Sequence, residues 1–104
     1  MRKLLLAGLL LLSLGAQAQE KVLVHINAEF NKSNDWYGLK IVQGARVFNG
    51  YIEQAPRIKE KYKITKVPTL ILYIDGKEEH RWEAALDMKL HVNVNQIQNK
   101  IDNE

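Results

Sequence analysis

The segment NAEFNKSNDW, residues 27–36, gathers three amides, a hydroxyl, a cation and two carboxylates within ten positions. Ser33 is its only hydroxyl. A serine at a helix N-terminus feels the positive end of the dipole and becomes a nucleophile when a base lies within hydrogen-bond reach. No base can be named from the sequence, and as a helix cap Ser33 needs none. Asn31 and Asn34 read first as cap and turn residues, and second as hydrogen-bonding groups offered to a partner. Asn31-Lys32-Ser33 also matches the glycan acceptor pattern. His25, His80 and His91 fall on three separate elements without the short paired spacing of metal ligands, so no metal or other cofactor is expected. Asp75, Glu78 and Glu79 crowd a turn, where carboxylates are solvated.

The elements that must position these groups follow from the patterning. Lys21 to Ile26, KVLVHI, is aliphatic and β-branched, as in a strand buried on both faces. After it, Asn31 to Asp35 supplies capping side chains, and Trp36, Leu39 and Val42 predict a helix of about two turns before Gly44. Of Trp36, Tyr37 and Trp82, Trp36 at its start best suits an exposed partner anchor, with ordinary packing as the other reading. ARVFNGYIE, 45–53, predicts a second strand with a bulge at Gly50, and Pro56 opens a short charged helix. Thr69 to Ile74, then Asp75-Gly76, then Lys77 to Glu83 predicts a hairpin. Val94, Ile97 and Ile101 dock a final helix.

Three motifs in this order resemble the C-terminal four-strand portion of thioredoxin-fold proteins. VLVHINAEF, 22–30, looks like the first central strand running into the active-site loop. KVPT, 66–69, looks like the loop with a cis-proline, here Pro68, and TLILYIDGK, 69–77, like the hairpin after it. The resemblance implies an α/β fold with a four-stranded mixed central sheet flanked by short helices. It places the family's two cysteines on Asn31 and Asn34, its buried carboxylate on His25, and its small residue after the hairpin on Ala84. It further implies that an extended peptide would meet the backbone of Val67. The expected peptide-binding residues are therefore Asn31, Lys32, Ser33, Asn34, Trp36, Val67 and Pro68.

The chain has no cysteine, so it performs no thiol chemistry. Arg2 and Lys3, the apolar Leu4–Leu14 and the small Ala16 and Ala18 predict a cleaved export signal over 1–18, too short to span a bilayer. The remaining 86 residues predict one domain over 19–104, and without Arg2 and Lys3 its 13 cations face 12 acids. That balance gives no nucleic-acid footprint and no membrane anchor. The expected role is a periplasmic or secreted, redox-inactive module that binds a peptide or protein. Two alternatives stand beside it: a thiol-ligand enzyme acting on a glutathione-like substrate through Ser33, and an accessory subunit of a cell-envelope assembly contacting hairpin residues 77–83. The sequence leaves the oligomeric state open.

Overall fold

The computed structural model describes residues 19–104; the expected export signal lies outside the described residues. Strand β1 (Lys21–Asn27) runs through the middle of a four-stranded sheet. It pairs in parallel with β2 (Arg46–Tyr51) and antiparallel with β3 (Thr69–Ile74), which pairs antiparallel with β4 (Lys77–Glu83). The order across the sheet is β2-β1-β3-β4. Having a partner on each side and a layer on each face, β1 needs apolar residues at nearly every position.

Alternation along the strands sorts the core into two layers. Leu23, Leu70, Leu72 and Ile74 point to one face, where Trp36 and helix α2 (Val94–Asn103) cover them with Ile97 and Ile101. Val24, Ile26 and Ile71 point to the other, under Ile64 and the partly buried Ile58 and Tyr62 around the short helix α1 (Arg57–Lys61). Helix α2 starts with a capping box in which Asn93 and Gln96 satisfy each other's backbone amides. Asp75 and Gly76 both have positive φ, the geometry that lets a two-residue turn follow the twist of β3 and β4.

Two expectations fail here. The strands β1 and β2 stay in continuous register from Val22–Arg46 to Asn27–Tyr51, so Gly50 makes no bulge. After β1, two 3-10 segments, Glu29–Asn34 and Tyr37–Lys40, replace the predicted two-turn helix. Trp36, Leu39 and Val42 are spaced by threes, which suits three residues per turn better than 3.6. Gly38 lies flat against the indole, where an added Cβ would sit 2.3 Å from Trp36 Cη2. The chain thus wraps around Trp36 instead of extending away from it.

Candidate functional site

The loop after β1 is held by amides. Asn27 Nδ2 donates to the Asn31 carbonyl at 3.0 Å and to Asp35 Oδ1 at 2.8 Å. Asn31 Nδ2 donates to Asn27 Oδ1 at 3.1 Å and to the Met88 carbonyl at 3.0 Å, while Asn34 Nδ2 donates to Asn31 Oδ1 at 2.7 Å. Tyr51 on β2 donates its hydroxyl to Asp35, which pushes the phenol pKa up. Asn27 and Asn31 are both buried. A buried amide must find partners for two donors and an acceptor, and these two find them largely in each other. The asparagines therefore act as a polar staple.

That staple joins distant segments. Through Met88, Asn31 ties the loop after β1 to the turn 85–89, which Met88 closes by donating to the Ala85 carbonyl at 2.9 Å. The same turn supplies Leu86 and Met88 to a groove of about 500 Å3, lined also by Thr65, Lys66, Val67 and Ala84. A shallower depression continues past Val67 to Phe30. Leu86 is fully exposed and Phe30 is 74% exposed, so Val67 lies between two uncovered apolar rims. The Val67–Pro68 peptide bond is cis. The Pro68 carbonyl accepts from Ala84 N–H at 3.1 Å, whereas among the described residues neither the N–H nor the C=O of Val67 has a partner.

The expected site residues divide accordingly. Val67 lines the groove and the buried Pro68 adjoins it. Lys32 is exposed, with its ammonium 5.7 Å from the Tyr51 ring centroid. Asn31 and Asn34 belong to the staple, and a buried Asn31 amide that already donates twice cannot carry a glycan in the folded chain. Ser33 caps nothing: it is exposed in the last turn of the first 3-10 segment, and its hydroxyl makes no hydrogen bond among the described residues. The dipole argument for its activation loses its basis there. Trp36 contradicts the exposed-anchor reading and takes the packing one, being 3% exposed in the core with its indole N–H donating to the Val92 carbonyl at 2.8 Å. Phe30, Leu86 and Met88 were not foreseen. Leu86 and Met88 stand in the mixed stretch AALDMKL after β4, where no periodicity marks them.

His25, where the resemblance placed a carboxylate, is fully buried on β1. Trp36 N–H donates to its Nε2 at 3.1 Å, so the ring proton sits on Nδ1 and is donated to Asn49 Oδ1 at 2.8 Å. A second proton would have to displace the Trp36 amide in a dry site. Burial accordingly lowers the pKa from 6.5, against smaller upward pulls from Asn49 and Asp35. The unfolded chain then binds a proton that the folded chain refuses, and stability falls as pH drops below about 6.5. Urea midpoints should decline from pH 7 to pH 5.5, and His25→Gln should flatten that slope. An equal slope in the variant would assign the acid sensitivity elsewhere.

No family model matches the chain, and no curated protein matches it by sequence. Solved structures do match. A mutant thioredoxin from Halobacterium salinarum aligns with 80% of this chain and 73% of its own, at 17% identity and TM-score 0.62. The chain has a thioredoxin-like fold. Thioredoxin-2 of the malaria parasite, described as a component of its protein secretion machinery, aligns over 83% of this chain and 84% of its own at 13% identity and TM-score 0.59. Fasciola hepatica thioredoxin aligns over 80% and 79% at 20% identity and TM-score 0.54. With no cysteine anywhere, this is a thioredoxin-like domain lacking the Cys-x-x-Cys pair, and it is inert in thiol–disulfide exchange.

Proposed function

We propose that the chain is an exported, non-catalytic module that receives an extended peptide or protein segment against Val67. The observation that carries this reading is the unpartnered Val67 backbone between apolar rims. One N–H and one C=O are the unit that strand addition uses, and alternate side chains of the incoming segment would fall toward Leu86 and Met88 on one side and Phe30 on the other. Nothing in such binding needs sulfur. Export is inferred from the charged, apolar and small-residue succession in residues 1–18.

The rims give the test. Leu86→Asp and Phe30→Asp alter exposed side chains, so both variants should keep the parent's thermal midpoint to within a few degrees. Each should weaken capture of immobilised extended apolar peptides by about tenfold, the loss of roughly 1.4 kcal/mol of apolar contact. Equal capture by both variants would remove the groove as the binding surface.

A further inference from the structure

Among the described residues, the two edges of the sheet differ. Strand β4 carries Lys77, Glu78, Glu79, Arg81 and Glu83, and its pairing with β3 is broken by an irregularity at Leu72/Tyr73. Charges and bulges are what proteins use to keep a sheet edge from pairing with another chain. Strand β2 has neither. Its only charge is Arg46 at the first position, it contains no proline, and its register with β1 is unbroken over six residues. Val47 and Phe48 are 41% and 40% exposed on its two faces.

The hydrogen-bonding groups of this edge can be assigned. Ile52 N–H donates to the Asn27 carbonyl on β1 at 3.0 Å. Backbone groups of a strand alternate in direction, so positions 48 and 50 turn inward with Ile52, while Val47 and Asn49 turn their N–H and C=O outward. The Asn49 side-chain oxygen is taken by His25 Nδ1–H, which holds that side chain against β1 while its backbone faces outward.

We infer that β2 pairs antiparallel with β2 of a second copy of this chain, about a two-fold axis through Phe48. In that register each Val47 faces the other copy's Asn49, and the outward groups satisfy one another in four hydrogen bonds. Phe48 meets Phe48 as the close, non-hydrogen-bonded pair, in which side chains approach most nearly. Arg46 falls opposite Gly50, so no like charges oppose each other, and the strand is its own complement. Both copies of Phe48 lie on one face of a continuous eight-stranded sheet, each beside its own Tyr62, whose ring centroid is 6.1 Å away.

Sedimentation equilibrium of the purified protein, recovered from cells expressing the full chain, tests this. The mean mass should climb from monomer toward dimer as concentration rises. Val47→Pro removes an outward donor without touching the ladder to β1, and should lower the association constant by about tenfold or more with an unchanged far-UV spectrum. Phe48→Lys and Phe48→Glu should each be monomeric alone and dimerise when mixed, because position 48 meets itself only in this register. Dimers that survive Val47→Pro, or a mixture that stays monomeric, overturn the proposal. So does a monomeric parent: with Val47 and Asn49 amides protected from exchange it would place residues 1–18 on the edge, and with unprotected amides it would leave the edge open.

Discussion

Trp36→Ala is expected to lower the folding free energy by roughly 3–5 kcal/mol, the range for deleting a large buried aromatic side chain. The indole fills the layer between Leu23, Leu72 and Ile97, and Gly38 is shaped to its face. Deleting it leaves a cavity, an unpartnered Val92 carbonyl and a turn wrapped around nothing. A domain of this size has about 5–10 kcal/mol in all, so the variant should melt roughly 15–30 °C lower. Differential scanning calorimetry reads this directly, and a loss under about 1 kcal/mol would contradict the placement of Trp36 in the core. The variant therefore reports folding and cannot serve as a binding control.

The second large effect is expected at Asn31. Asn31→Ala removes the partner of a buried acceptor, Asn27 Oδ1, and of a half-buried one, the Met88 carbonyl, while Asn34 can turn to water. A stranded buried group costs about 1–3 kcal/mol and a half-buried one less, so the loss should be roughly 2–4 kcal/mol in urea unfolding. Amide exchange should show where it falls: the turn 85–89 should open faster than the α2 amides, because Asn31 is its tie to the sheet. Uniform acceleration throughout the domain would show that Asn31 supports the core generally and does not pin that turn.

Much of this architecture was legible because local signals agreed with one another. Asp75-Gly76 between an apolar and a polar run specified the hairpin, and the near-unbroken apolar run of β1 specified a central strand. Ile97 and Ile101, one turn apart, marked the docking face of α2. The loop after β1 was harder because its side chains serve tertiary partners. Asn31, Asn34 and Asp35 have the types of helix caps, yet their hydrogen bonds run to Asn27, Tyr51 and Met88, up to 57 residues away. Local propensity cannot register such partners. Trp36 misled for a related reason: an aromatic among polar neighbours looks exposed until the Gly38 backbone and Val92 close over it. The groove was half visible. Val67 and Pro68 came from the resemblance, whereas Phe30, Leu86 and Met88 are apolar residues in irregular segments, where no periodicity distinguishes a rim from a core.

The amide staple explains how the loop keeps its shape without sulfur. A disulfide or thiol pair would fix positions 31 and 34 by a covalent or redox-dependent contact. Here a 2.7 Å bond from Asn34 to Asn31 spans the same two positions, and Asn31 continues it to the turn that carries Leu86. A groove so framed keeps its shape whatever the redox conditions, and the proposed binding of an extended segment would not depend on them.

The most direct test is an amide-resolved NMR titration of the purified protein with an extended apolar peptide. The account predicts saturable shifts centred on Val67, with smaller ones at Phe30, Leu86 and Met88, and little movement at the buried His25 and Trp36. Saturable binding that leaves Val67 unmoved, or no binding to any extended peptide, would contradict it.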